Sequence, residues 1–223
     1  YVDKNFASGL AEGSISALNY SNTIRTLVIM MLNTGLTTIF FPTVSRMVSE
    51  GKMDKVKRTL ISSIRYVVAV FVPITVLLIL FAQPVTRLLF ERGQFNELSV
   101  EMTSIAVRMY AIGITAVALR DIFFNFYYSV KDTNFTLIVS ILGIAVNVGL
   151  NALLVDKLGI AGLALATSVA AISTVPIFAL RMKKHLDADN GKSGLGRFVF
   201  SWIGANLLPL GIIVAVNHII GYE

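Results

Sequence analysis

No cysteine occurs among the 223 residues, and there are only two histidines and one tryptophan. The absence of cysteine excludes a disulfide framework and a thiolate metal site. His185 and His218 lie too far apart in sequence to have the usual spacing of metal ligands. Neither a nucleophile–base pair nor a glycine-rich phosphate loop is present. The sequence therefore predicts no catalytic site, no metal site and no organic cofactor.

Charge is also scarce. Charged residues make up 14% of the chain and hydrophobic residues 55%, and the mean hydropathy is +0.75. A soluble domain of this length needs more polar surface than that. Apolar runs such as YVVAVFVPITVLLILFA approach the roughly 20 residues that cross a bilayer. The predicted fold class is an all-α integral membrane protein, a polytopic helical bundle.

The apolar runs divide the chain into about seven transmembrane segments within one domain, 1–223. Glycine-containing and polar stretches separate them, and proline falls inside several, as membrane helices tolerate. The predicted segments are a partial helix over 1–10, then 14–48, 60–82, 99–130, 135–155, 160–181 and 197–220.

Basic residues concentrate in three loops, 46–58, 131–134 and 181–197. With one crossing per helix, all three loops lie on the same side of the membrane, and the positive-inside rule makes that side cytoplasmic. This topology accounts for the net charge of +6 better than nucleic-acid binding does, so no nucleic-acid partner is predicted.

Several charged residues interrupt the apolar segments. Arg108, Arg120 and Asp121 fall within 99–130, and Arg25 lies in 14–48. A cationic side chain at bilayer depth costs at least about 2.5–3.5 kcal/mol, so it usually faces a partner or a water-filled cavity. Arg25 and Arg120 thus predict a basic cavity for an anionic cargo, while Arg108 is equally consistent with snorkelling to the membrane surface.

A polar stripe accompanies Arg25. Its members recur at helical spacing on one face of segment 14–48, which must turn towards other helices or water. Hydrogen bonding between helices is the alternative to a transport role for these residues. The stripe consists of Asn19, Asn22, Thr26, Asn33 and Thr37.

Five strings appear in the order found in one known family. They are DKNFASGLAEGSISALNYSNTIRTL, TIFFPTVSRM, LLFERGQF, FYYSVKDT and GLALATSVAA. Together they resemble the MurJ (MviN) family of lipid II flippases, which shares a superfamily with multidrug and polysaccharide exporters. The resemblance implies the second lobe of a fourteen-helix protein, in which arginines of a central cavity meet the pyrophosphate of a lipid-linked peptidoglycan precursor.

The resemblance also implies site residues. Ser16 and Tyr20 match the family pattern, and Arg120 matches a position that is usually basic. The family commonly places an arginine where this chain has Thr23, and Arg25 follows two residues later, about 200° around the helix. The predicted substrate-binding residues are Arg25, Arg120, Asp121, Ser16, Asn19, Tyr20, Asn22 and Thr23.

Three alternatives stay open: a flippase for another polyprenyl-linked oligosaccharide, an ion-coupled multidrug exporter, and a membrane scaffold that docks cell-wall synthases. The chain starts at Tyr1 and reads as a piece of a longer protein. The expected partners are the lipid-linked precursor, membrane lipid and a first lobe that lies outside this chain. The expected location is the bacterial cytoplasmic membrane, and either a coupling ion or the membrane potential drives transport.

Overall fold

The computed structural model of the protein describes residues 6–7, 9–10, 12–186 and 211. Over this part of the chain the elements are five helices: α1 (Ser14–Ser49), α2 (Met53–Leu80), α3 (Ala82–Phe90), α4 (Glu97–Ser129) and α5 (Thr133–Leu186). Four of them, all but α3, are long and apolar enough to cross a membrane. The all-α membrane fold class is confirmed, and the count of about seven spans stays a prediction.

Helix α4 is the centre of the bundle and packs against each of the other four helices. Its side chains are apolar or small around most of its circumference, as a helix surrounded by protein requires. Leu119, Ile122, Phe123 and Phe126 are completely buried. The asparagine that precedes the helix, Asn96, caps it by accepting a hydrogen bond from the Ser99 backbone N–H at 3.0 Å.

Helices α1 and α4 run parallel. Contacts join Arg25 to Tyr110, Asn33 to Asp121, and Ser45 to Ser129. Each pair is separated by a similar number of residues, 88 for Asn33–Asp121 and 84 for Ser45–Ser129. A near-constant separation means that both helices advance in the same direction.

Helix α5 folds back on itself at Gly159. This glycine has φ 51° and ψ −127°, a combination open to a residue without a Cβ. The two arms, 133–158 and 160–186, then pack antiparallel, and Asn147 of the first donates a hydrogen bond to Thr167 Oγ1 of the second at 3.1 Å. Their approach is close, since a Cβ on Gly162 would meet the Leu154 carbonyl oxygen at 2.6 Å. The predicted helices are 135–155 and 160–181, and the four-residue loop predicted between them is wrong because only Gly159 leaves the helix.

Two further boundaries differ from the sequence analysis. The predicted helix 60–82 begins at Met53, because Val56 and Leu60 already bury their side chains while Lys55 and Arg58 are exposed. Helix α3 was not predicted as a separate element; it is separated from α2 by Phe81, whose φ is −107°. The predicted helices 14–48 and 99–130 correspond to α1 and α4 within two residues at each end.

One end of the bundle gathers the basic loops. Ser45 contacts Ser129, and Arg181 pairs with Asp132 at 2.8 Å, which places the turns 50–52 and 130–132 beside the end of α5. Most of the predicted loop 46–58 is helical, because only residues 50–52 separate α1 from α2. The predicted helix 197–220 apart from residue 211, the segment 187–197 and most of 1–10 lie outside the described residues.

Candidate transport cavity

Asp121 lies on the side of α4 that faces α1. Asn33 Nδ2 donates a hydrogen bond to Asp121 Oδ2 at 2.8 Å, and the Asn33 side chain is buried. Asn125, one turn further along α4, donates to the Asp121 backbone carbonyl. A carboxylate at this depth needs such a donor because lipid offers none. Beside the pair runs an open groove of about 450 Å³, lined by Thr37, Thr38, Phe41, Pro42, Asp121, Phe124, Asn125 and Tyr128.

Arg120 points in a different direction from its neighbour. It lines a second groove, of about 430 Å³, between α4 and the two arms of α5, together with Ser140, Asn147 and Thr167. Its guanidinium carbon lies 5.6 Å from the centre of the Phe124 ring. Among the described residues, nothing accepts a hydrogen bond from its buried Nε. The groove therefore presents a cation and hydroxyl and amide groups to whatever enters it.

Arg25 reaches α4 as well, at Tyr110, nearly three turns before Arg120. Its guanidinium carbon stands 4.8 Å from the centre of the Tyr110 ring, within the range of a cation–π contact. The Tyr110 side chain is buried and Arg25 is half-buried. Thr23 is exposed instead, and its hydroxyl donates to the Asn19 carbonyl of its own helix at 2.9 Å. Arg25 and Thr23 thus occupy different faces of α1.

The remaining predicted residues lie near the start of α1. Ser16 and Tyr20 line a crevice of about 770 Å³ that also involves the end of α3 and the start of α4. Asn19 and Asn22 are exposed, whereas Asn33 and Thr37 of the same polar stripe are turned towards α4. Within the described residues, the stripe therefore contacts another helix along only part of its length.

The described helices thus bring the eight predicted residues together only in part. Arg120 and Asp121 diverge towards α5 and α1, Arg25 contacts Tyr110, and Ser16 and Tyr20 share the crevice. A single cavity that contains all of them stays a prediction.

Sequence reasoning passed over two features. Phe90 and Phe95 pack on Tyr20, with ring centres 4.7 Å and 5.1 Å away; the signal was the aromatic spacing in LLFERGQF. Arg65 is exposed on α2, and because that helix starts at Met53 it lies well inside a candidate span. The pair Arg65–Tyr66 within an apolar run was the available signal.

The long apolar helices, the central α4 and the charged groups at depth define a polytopic membrane protein with a transporter fold. Solved structures share it: the chain superposes on a lipid II flippase MurJ in an inward closed conformation with a TM-score of 0.75, at 22% identity over 95% of this chain and 49% of that one. A MOP superfamily transporter from Pyrococcus furiosus gives 0.72 at 17% identity, over 96% of this chain and 49% of that one.

The chain belongs to the lipid II flippase MurJ family, whose sequence model matches residues 1–222. Curated relatives named probable lipid II flippase MurJ include those of Bdellovibrio bacteriovorus (29% identity over 82% of this chain and 35% of the relative), Buchnera aphidicola (31%, 81% and 35%) and Thermotoga maritima (29%, 91% and 42%). The chain spans about a third to two fifths of the length of these relatives.

Proposed function

We propose that the protein forms part of a flippase that moves an undecaprenyl-pyrophosphate-linked peptidoglycan precursor, lipid II, across the bacterial cytoplasmic membrane by alternating access. The observation that carries the proposal is the family match over residues 1–222, on a chain that keeps arginines within its apolar helices. The protein acts as a transporter and not as an enzyme, since its task is to move a lipid without making or breaking a bond.

Arg25 and Arg120 supply the cationic groups that a diphosphate requires. Both are half-buried on helices that can span a membrane, where the low dielectric strengthens attraction for an anion. A guanidinium is always charged and presents planar donors that match phosphate oxygens. The Nε of Arg120 keeps a donor available for such a ligand. The polyprenyl tail needs only the apolar helix faces and lipid.

The topology follows from the basic end of the bundle. The turns 50–52 and 130–132 and the end of α5 lie at that end, and the positive-inside rule assigns it to the cytoplasm. The first half of the protein supplies the other wall of the cavity. A coupling ion or the membrane potential drives the cycle, with no organic cofactor.

A flippase for another polyprenyl-linked oligosaccharide is the second candidate. The observation that favours it is Thr23, which stands where the family commonly has arginine and which is exposed on α1. Such a relative would keep the diphosphate contacts and recognise a different glycan.

An ion-coupled multidrug exporter has support at the level of fold alone. A multidrug resistance MATE family transporter in an outward-facing conformation superposes with a TM-score of 0.72 at 17% identity, over 96% of this chain and 49% of that one. Export of cationic drugs calls for carboxylates in the cavity. In the described part of the chain, Asp121 is the one carboxylate far from a helix end, and Asn33 already binds it. The balance of charge favours an anionic cargo.

The test uses the full-length protein. We expect Arg25→Ala and Arg120→Ala each to reduce translocation of lipid II about tenfold or more, because each removes a charged hydrogen-bond partner worth roughly 1.5–3 kcal/mol. Arg58→Ala is the matched control, since Arg58 is exposed near the start of α2. Normal translocation by both cavity variants would exclude the cationic-cavity proposal, whereas normal transport of a different polyprenyl-linked glycan would favour the second candidate.

A further inference from the structure

The crevice at the start of α1 is the largest of the three grooves, at about 770 Å³. It lies between the first turns of α1, the end of α3 and the first turns of α4. Because α1 and α4 are parallel, this position is at the opposite end of the bundle from turns 50–52 and 130–132. In the proposed topology it therefore opens on the side where the cargo is released.

Three aromatic rings form one side of the crevice. Tyr20 packs against Phe90 at 4.7 Å and, edge to face, against Phe95 at 5.1 Å, and the two phenylalanines are 5.9 Å apart. Tyr20 nevertheless keeps 40% of its surface exposed. The cluster thus holds the ring of Tyr20 in place while leaving much of it open to a ligand.

The rest of the crevice combines polar groups with apolar side chains such as Leu89 and Met102, and it has no excess of charge. One acid and one base, Glu12 and Arg92, line it together with the amide of Gln94. At its inner wall Thr103 is completely buried, and among the described residues nothing pairs with its hydroxyl. A buried hydroxyl without a partner costs free energy, so a ligand that hydrogen-bonds there would recover that cost.

We propose that this crevice binds a sugar ring of the lipid-linked precursor as it leaves the protein, an inference that rests on the proposed function. A sugar presents C–H groups that pack on an aromatic face and hydroxyls that need both donors and acceptors. An acyl chain would leave the polar groups unsatisfied, and a phosphate would meet Glu12 as well as Arg92. The volume is within the ~300–1,000 Å³ of small-molecule sites.

Binding of two probes to the full-length protein tests the proposal. Lipid II carries the sugars, and undecaprenyl pyrophosphate carries the same tail and diphosphate without them. Tyr20→Leu and Phe95→Leu keep apolar volume but remove the ring, and each is expected to weaken lipid II binding about two- to tenfold. Thr103→Val keeps the shape and removes the hydroxyl, with a loss of about two- to fivefold. Binding of undecaprenyl pyrophosphate should change less than about twofold.

Phe81→Leu is the matched control, because Phe81 is an exposed aromatic beside α3 that does not line the crevice. Equal loss for both probes would assign the crevice to contact with the first half of the protein and overturn the proposal. So would unchanged lipid II binding by all three crevice variants. If the unsubstituted protein binds neither probe, the proposed function is itself wrong and the crevice assignment falls with it.

Discussion

Helices α1 and α4 have almost the same hydropathy but opposite surroundings. Over their most apolar 18 residues the mean hydropathy is 1.7 for α1 and 1.6 for α4, yet 17% of those residues are buried in α1 and 72% in α4. Both carry polar or charged groups at membrane depth. Hydropathy therefore identifies both helices as candidate spans, but it does not distinguish α4, at the packed centre of the bundle, from α1, at its surface.

Small side chains at the helix contacts contribute to this difference in burial. Helix α4 has Gly113, Ala111, Ala116 and Ala118 where other helices approach it, and small residues allow such contacts in membranes. Helix α1 exposes Met31 by 82%. Its large exposed side chains suit contact with lipid or with another part of the full-length protein. Contacts on this face of α1 can therefore change without disturbing the packed core.

The largest expected effect tests whether α4 tolerates added volume. A Cβ on Gly113 would lie 2.7 Å from Ser168 Cα, while a Cβ on Gly35 of α1 meets nothing within 4 Å. Gly113→Leu should reduce the free energy of unfolding by about 3 kcal/mol, and it should also separate Ser168 from the Met109 carbonyl that its hydroxyl binds. Gly35→Leu should be neutral or stabilising by up to ~1 kcal/mol.

Thermal unfolding of the full-length protein in detergent measures both changes. Gly113→Ala serves as the milder variant if the leucine protein does not fold, because it adds only the clashing carbon. Equal stability of the Gly113 and Gly35 variants would remove the distinction between the two helices.

The next effect tests the contact that joins the two helices. Asn33→Leu leaves the Asp121 carboxylate without its donor, and we expect a loss of about 1.5–3 kcal/mol in unfolding free energy. Asn22→Leu, at an exposed position of the same polar stripe, should change stability by less than ~0.5 kcal/mol. The double variant Asn33→Leu/Asp121→Leu should recover much of the loss, because both polar groups are then gone. No recovery would mean that the hydrogen bond does not account for the cost.

A smaller effect concerns the contact between Tyr110 of α4 and Arg25, the α1 arginine of the proposed cavity. Tyr110→Leu removes the ring face beneath Arg25, and we expect lipid II translocation to fall about two- to tenfold, in line with a cation–π contact of roughly 0.5–1 kcal/mol or somewhat more when buried. Tyr110→Phe keeps the face and should stay within about twofold of the unsubstituted protein. If the phenylalanine variant fails as badly as the leucine variant, the hydroxyl matters and not the ring.

The sequence predicted α1 and α4 closely because each is a long apolar run bounded by polar residues. It missed the start of α2 because the lysines at 52, 55 and 57 look like a loop, and only packing shows that Val56 and Leu60 face the core. That Arg25 and Arg120 share one cavity stays a prediction, because periodicity within a helix gives no direction between helices. The crevice around Tyr20 depends on three segments that meet only in the folded chain.

The smallest expected effect lies where α1 ends and the membrane-spanning part stops. Lys52 Nζ donates to the Glu50 carboxylate at 2.5 Å, and this hydrogen bond and the charge of Lys52 lower the pKa of Glu50 below its ordinary value of 4.5. A carboxyl group with a lowered pKa in the folded state adds stability above its ordinary pKa and loses it as the pH falls through the lowered value. Glu50→Gln should therefore speed hydrogen exchange of the Gly51 and Lys52 amides slightly at pH 7, and less at a pH below 4.5.

Both side chains are exposed, so added salt should screen the interaction and reduce the difference at pH 7. Lys52→Met is the matched control: in that background Glu50→Gln should have a smaller effect, because the main cause of the lowered pKa is absent and only the charges of Arg46 and Lys55 still lower it. An effect of equal size with and without Lys52 would mean that Glu50 acts on the turn by itself. The polar contact at this end of α1 would then differ in kind from the Asn33–Asp121 pair, which depends on α4.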